Sequence, residues 1–119
     1  MALAQTNLGA ITQIQSGAAA TVYVVGSAKT SYIKSFLIHS LNNTATQNAE
    51  VHIVPNNGGA VGTASSVNRI AKLGIGTADT YFFECTYPIT LVANNDTIQV
   101  KNTEGVDAIN VIVLGDREG

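Results

Sequence analysis

The side chains best suited to chemistry in this sequence are two histidines and one cysteine, His39, His52 and Cys85. If residues 30–41 and 50–54 form a hairpin, the two imidazoles lie opposite each other, with Cβ atoms about 5 Å apart. A shared metal is then geometrically conceivable, but a structural zinc site needs four ligands. We therefore predict no metal, and a packed or interface pair of neutral imidazoles.

No second group accompanies the cysteine. Cys85 shares its period-two phase with Tyr81 and Phe83, which indicates a small buried hydrophobic residue. A nucleophilic thiolate would need a base beside it, and neither histidine is close in sequence. The serines lack a nucleophile elbow, and the glycine pairs lack the lysine and helix of a phosphate-binding loop. We therefore predict no catalytic residue, no cofactor and no enzymatic activity.

The composition of the chain argues against two further classes of protein, those that bind nucleic acids and those that span a membrane. The chain has 119 residues, of which 12 % are charged, and a net charge of −2. Its basic residues are spread singly, whereas nucleic-acid binding needs a clustered basic surface. No run is long enough to span a membrane, and the first residues do not form a signal peptide, so we expect synthesis in a cytoplasm. Low charge with 45 % hydrophobic residues indicates either a neutral surface or one covered by other subunits.

Three Asn-Asn pairs separate runs that alternate between apolar and polar residues. Asn tolerates positive φ and bonds to its own backbone, so these pairs predict turns. The runs predict half-buried strands over residues 11–15, 20–25, 30–41, 50–54, 67–75, 81–88, 97–102 and 109–114. About eight strands with turns every eight to twelve residues indicate a single-domain antiparallel β-sandwich, jelly-roll-like. We expect residues 1–19 to hold an N-terminal arm, irregular over 1–8, and residues 20–119 to form the sandwich domain.

Apolar residues also occupy the phase that should face water. In the last strand Ile109, Val111 and Val113 point inward, which leaves Ile112 and Leu114 outside. Such a surface marks an interaction site, unless the assigned phase is wrong or loops cover this face. The predicted interface residues are Leu3, Leu8, Leu37, His39, His52, Ile112 and Leu114.

Several segments together resemble small β-sandwich proteins of tailed-phage virions. They are TVYVVGSAKTSYIKSF from residue 21, then VHIVPNNGG, GIGTADTYFFE, NNDTIQVKN and INVIVLG. The resemblance spans residues 20–115 and implies a virion component made in the host cytoplasm. It implies self-association, here a homotrimer, and contact with other virion proteins such as the major capsid protein. Our first interpretation is a capsid decoration (cement) protein, with a tail, neck or fibre component as the alternative.

A host-attachment module that binds carbohydrate is a second hypothesis, from a different functional class. Sugar sites combine a stacking aromatic with amide and carboxylate groups. Tyr87 together with Asn94, Asn95 and Asp96 offers that combination. The loop of residues 56–59 is the other candidate.

Overall fold

The computed structural model describes residues 3–7, 10–103 and 107–118. These residues form nine strands in two antiparallel sheets, which pack face to face as a β-sandwich. The strands are β1 (Leu3–Asn7), β2 (Thr12–Ile14), β3 (Ala19–Val24), β4 (Thr30–Ser40), β5 (Gln47–Val54), β6 (Arg69–Ile75), β7 (Thr80–Leu91), β8 (Thr97–Asn102) and β9 (Ile109–Glu118). The all-β prediction is therefore confirmed. The described part of the chain holds no helix that could cross a membrane.

The strand order is that of a jelly roll. Sheet A has the order β1-β9-β4-β7, with β2 also paired to β9, and sheet B has the order β3-β8-β5-β6. Because β4 occupies one side of β9, β1 and β2 follow each other along the other side. If β1 and β2 are counted as one interrupted strand, sheet A is four strands wide, as sheet B is. The first strand then neighbours the last, and the second neighbours the second-last, as in a double Greek key.

The predicted arm carries more structure than expected. Residues 1–8 were expected to be irregular, but β1 pairs with the far end of β9, with Leu3 opposite Glu118. The last strand accordingly runs to Glu118 and not only to Leu114.

The core lies between the sheets and is built from aliphatic side chains around one aromatic pair. Phe36 and Phe83 meet edge to face, with ring centroids 5.6 Å apart. Tyr23 of sheet B and Ser31 of sheet A join the two sheets through a hydroxyl hydrogen bond of 2.5 Å. The predicted inward residues of β9 are fully buried, and Ile98 and Val100 of β8 are too.

A bulge changes the phase of the longest strand. The sequence places Tyr32, Phe36 and Ile38 on one face of β4 and Ile33 with Leu37 on the other. In the structure the register shifts between Ile33 and Ser35. Ile33 therefore joins Phe36 and Ile38 in the core, at 0 % exposure. A bulge adds one residue and so moves everything beyond it to the opposite face.

The same irregularity extends β7 beyond Pro88, the residue at which the predicted strand of residues 81–88 ends. Ser35 pairs with Glu84, and Ile33 pairs with Ile89. Residues 85–88 thus bulge out opposite Lys34 alone. Proline is tolerated because the bulge on this edge strand requires no ladder hydrogen bond from it.

The three Asn pairs do form turns, as predicted. The Asn42 carboxamide oxygen accepts from the backbone nitrogens of Thr44 and Ala45. Asn95 adopts a φ of 69°. The turn at Asn56-Asn57 closes through two backbone hydrogen bonds between Asn57 and Ala60, of 2.8 and 3.1 Å.

Candidate assembly surface

The outer face of sheet A carries an apolar row that runs across its strands. Leu37 of β4 lies directly opposite Ile112 of β9 on one side and Phe82 of β7 on the other. Ile11, just before β2, joins Leu37 and Ile112 around a hollow of about 260 Å³. Ile11 is 67 % exposed and Phe82 is 53 % exposed. We call Ile11, Ile112, Leu37 and Phe82 the apolar row.

A row of polar residues borders the apolar row on one side. Gln13, Asn110, His39 and Thr80 are successive partners across the same strands. Gln13 donates through Nε2 to Asn110 Oδ1 at 3.1 Å, and His39 Nδ1 lies 2.9 Å from Thr80 Oγ1. These polar side chains hydrogen-bond to one another in pairs. The apolar row beside them has no side-chain groups that can form hydrogen bonds.

Leu114 and charged residues border the other side. Leu114 of β9 is half-buried and pairs with Ser35, which pairs with the exposed Glu84 of the edge strand. Beyond them the Lys34 ammonium lies 2.7 Å from the buried Asp116 carboxylate. The face is therefore polar at one end, apolar in the middle and charged at the other end.

Tyr32 belongs to the charged end. Its hydroxyl donates to Glu118 Oε1 at 2.6 Å. This hydrogen bond, with smaller contributions from desolvation and from the carboxylate charge, raises the pKa of Tyr32 above its ordinary value. The neutral phenol thus helps to fasten β4 to the end of β9.

The predicted outer positions Leu37, Ile112 and Leu114 all point away from the core. Leu3 lies in β1, and only its backbone pairing is described, while Leu8 lies outside the described residues. Phe82 lies on the other face of its strand from Phe83 and Cys85, the residues expected to face the core. The alternation of the sequence therefore also predicts that Phe82 points outward. Ile11 was predicted only as the start of a strand.

The pairing expected between the two histidines is wrong. Strands β4 and β5 belong to different sheets, so His39 lies opposite Thr80 and Asn110, and His52 lies opposite Gln99 and Arg69. The hairpin was expected because the two strands are consecutive, but the chain crosses from sheet A to sheet B between β4 and β5. His39 lies on the candidate surface, whereas His52 is buried on the outer face of sheet B.

Cys85 packs against the core from the bulge of β7 and is only partly buried. Desolvation raises the pKa of its thiol, which disfavours the nucleophilic thiolate. Its partner in the prediction, Tyr81, is more exposed because β7 lies at the edge of the sheet.

The residues of the predicted sugar site serve different purposes. Asp96 Oδ1 accepts from the backbone nitrogen and the carboxamide of Asn56, and Asn95 donates to the carbonyl of Gly59 at 2.8 Å. These bonds join the loop after β7 to the loop after β5. Asn94 is exposed in the same loop, and Tyr87 lies in the bulge of β7 with 84 % of its surface exposed.

Comparison with solved structures finds similarity of fold. A chain from Bacillus endospore appendages, a family of disulfide-linked pili, matches over 97 % of this chain and 86 % of its own, at 15 % identity and a TM-score of 0.44. A chain of the infectious bursal disease virus Gt strain matches over 98 % of this chain, at 8 % identity and a TM-score of 0.38. A chain of the VP2 subviral particle of the same virus gives 8 % and 0.36. This chain spans 32 % of the length of each viral chain.

No protein-family model matches the sequence, and no curated protein is significantly similar to it. The chain is a β-sandwich by its own strand pairing. Its structural similarity to other β-sandwich proteins is distant, and fold alone does not decide function.

Proposed function

We propose that this chain is a non-enzymatic structural subunit of a phage particle, a decoration protein that cements the head as a homotrimer. The observation that carries the proposal is the apolar row on the outer face of sheet A. A one-sided antiparallel sheet normally presents polar residues to water. Here three strands place Ile112, Leu37 and Phe82 in register, with Ile11 beside them. A contiguous apolar surface of this kind marks a protein contact.

The surroundings of the row fit a subunit contact. Interfaces combine an apolar centre with a polar rim and are depleted of charge at the centre. The apolar row has the hydrogen-bonded polar row on one side and the Lys34–Asp116 pair on the other. The proposed partners are further copies of this chain through the row, and the shell through the segment at the start of the chain. In this proposal the protein is made in the host cytoplasm and resides in the virion.

The test is the copy number of this protein in purified particles of the phage that encodes it, measured by quantitative mass spectrometry against the major shell protein. Copies in proportion to the shell lattice support decoration. A small, fixed number would instead assign the protein to the neck, tail or fibres, and absence from particles would refute the virion proposal.

A second measurement addresses cementing itself. Particles assembled without this protein should lose their contents at lower temperature and in lower salt than complete particles. Adding back the purified protein should restore their resistance. Equal resistance with and without the protein would refute the cement role, even if the copy number is high.

A further inference from the structure

A polar groove lies on the outer face of sheet B, the side of the sandwich opposite the apolar row. It has a volume of about 270 Å³ and is lined by Glu50, His52, Ser65, Ser66 and Lys101, with small residues completing the wall. One wall is the loop of residues 55–68, which returns over the sheet and bonds to it through Gln99 Nε2 and the carbonyl of Gly62, at 3.0 Å. The groove is slightly smaller than the roughly 300–1,000 Å³ typical of sites for drug-sized ligands, so it has room for a small ligand.

The hydrogen bonds around His52 assign its tautomer. Asn68 donates through Nδ2 to the carbonyl of Thr63 and accepts at Oδ1 from the backbone nitrogen of Ser65. Its Oδ1 can therefore only accept from His52 Nδ1, which lies 3.0 Å away, and the Ser65 carbonyl lies 3.1 Å from the same nitrogen. Nδ1 thus carries the hydrogen, and in the neutral ring Nε2 is an acceptor.

This acceptor is buried without a partner. His52 is 3 % exposed, and its Nε2 has no hydrogen-bond partner within the described part of the chain. The Glu50 carboxylate is close by, but its Oε1 lies 3.8 Å from Nε2, which is beyond hydrogen-bond distance. A buried polar atom left unpaired destabilises the fold, because it has lost its hydrogen bond to water and gained none in return. Such an atom at the wall of a groove indicates a ligand that donates a hydrogen to it.

Glu50 places a second acceptor beside the first. Its Oε2 is held by the Arg69 guanidinium at 2.9 Å, which fixes the carboxylate and leaves Oε1 turned toward His52. Lys101 is the direct ladder partner of Glu50 on β8, and its exposed side chain lines the same groove. The groove therefore offers two fixed acceptors and one mobile donor.

The charges select the class of ligand. A metal ion would have only two protein ligands here, fewer than metal sites provide, and Arg69 and Lys101 would repel it. An anion would face the Glu50 carboxylate. We infer that the groove binds a neutral polyhydroxylated ligand, a monosaccharide unit, whose neighbouring hydroxyls donate to His52 Nε2 and Glu50 Oε1. The Lys101 ammonium donates to an oxygen of the same sugar.

This inference is independent of the proposed assembly, because the groove and the apolar row lie on opposite sheets. It also differs from the sugar site predicted at Tyr87 and residues 94–96. The sequence could not indicate it, since Glu50, His52 and Lys101 come together only through the pairing of β5 with β8 and the return of the loop.

The experiment follows the His52 Nε2 resonance by nitrogen NMR of the labelled, full-length protein. The probes are the methyl glycosides of glucose, galactose, mannose and N-acetylglucosamine. Permethylated glucose is the matched control, because it keeps the ring but has no donor hydrogen. We expect at least one glycoside to shift the Nε2 resonance in a saturable manner and permethylated glucose to leave it unchanged. Zinc chloride and sodium phosphate test the cation and anion alternatives.

Two lysine variants provide a matched pair, since Lys101 and Lys72 are both ladder partners of Glu50 but only Lys101 lines the groove. Lys101→Ala should weaken glycoside binding roughly tenfold, the size of one charged hydrogen bond, whereas Lys72→Ala should not change it. The inference is wrong if no glycoside moves the resonance, or if permethylated glucose moves it equally. It is also wrong if zinc or phosphate binds in place of the sugars, or if both lysine variants weaken binding alike.

Discussion

Leu37 and Ile112 are direct partners across the β4–β9 ladder, and both side chains point out of the sandwich. Together with Ile11 and Phe82 they form the apolar row across the middle of this face. The first prediction concerns this face.

Replacing Phe82 with Asp should abolish self-association without unfolding the subunit. Phe82 is half exposed at the edge of the row, so a carboxylate there is solvated in the monomer but buried in the contact. We expect the dissociation constant to rise at least tenfold, and the free energy of unfolding of the monomer to change by about 0.5 kcal/mol or less. Leu114→Asp should have the same effect on association.

Sedimentation velocity over a concentration series measures this change. Tyr87→Asp is the control, because Tyr87 is exposed in the bulge and lies outside the row. An oligomer that survives Phe82→Asp and Leu114→Asp would refute the assignment of this face as the subunit contact.

Deleting residues 1–8 should leave the sandwich folded and weaken its docking onto the shell. Strand β1 pairs only with the far end of β9, whose other side is fully paired to β4. The thermal transition should remain cooperative, while binding to undecorated particles in a pelleting assay should fall. Loss of the folded state would show instead that this segment is an essential part of the sandwich.

Asn102→Ala should destabilise the fold strongly. Asn102 is fully buried and donates to the carbonyls of Ile14 and Asp107 while it accepts from Gln47 Nε2. Removing the carboxamide leaves several buried groups unpaired, at roughly 1–3 kcal/mol each. We expect a loss of at least about 2 kcal/mol in urea unfolding. The exposed Asn43→Ala should change stability by less than about 0.5 kcal/mol, and equal effects of the two would contradict this interpretation.

Gly115→Ala should disrupt the pairing of β9 with β4. A Cβ at this position would lie 2.1 Å from the carbonyl oxygen of Tyr32 and 3.2 Å from the Cα of Ile33, so backbone would have to move. The cost should exceed the roughly 1–3 kcal/mol of ordinary overpacking, seen as low soluble yield or a sharply lower melting temperature. Gly76→Ala is the control, since its nearest neighbour would be 3.5 Å away. An unchanged melting temperature in Gly115→Ala would show that the ladder tolerates a side chain.

Tyr32 should contribute to the loss of stability in alkali. Because the folded pKa of Tyr32 lies above its ordinary value of 10.0, its stabilising contribution is complete below pH 10. That contribution is lost as the pH rises through the folded pKa. Tyr32→Phe should therefore lose less stability than the wild type across this alkaline window, as measured by urea unfolding at successive pH values. Tyr87→Phe should follow the wild type, and a Tyr32→Phe curve parallel to the wild type would contradict the assignment.

The alternation of apolar and polar residues was sufficient to locate most strands and the core side of β8 and β9. It also identified Ile112 and Leu114 as outward positions, because β9 is regular throughout. Leu37 was identified too, because β4 is regular beyond its bulge. It failed where the period is broken. The bulge in β4 moved Ile33 into the core, and the bulge in β7 carried the strand past Pro88.

Long-range pairing was the other limit. The alternation of residues along one strand does not show which other strand it pairs with. For that reason the sequence predicted a hairpin of β4 and β5, although the two strands belong to different sheets. Residues 55–68 form a loop that covers His52. The path of this loop depends on contacts with strands that are distant in sequence, such as the bond between Gly62 and Gln99. The polar groove follows from both features, and for that reason it appears only in the structure.

The loop of residues 55–68 also gives the molecule two unlike sides. One sheet offers its apolar row to a partner, while the other is already sheltered by its own chain. A subunit with two adhesive faces would stack without limit into a fibre, as open head-to-tail contacts do. With a single adhesive face, copies close into the proposed trimer, and the trimer has no second face through which to stack further. Growth through this face therefore terminates itself, which suits a protein that must cover a surface once and then stop.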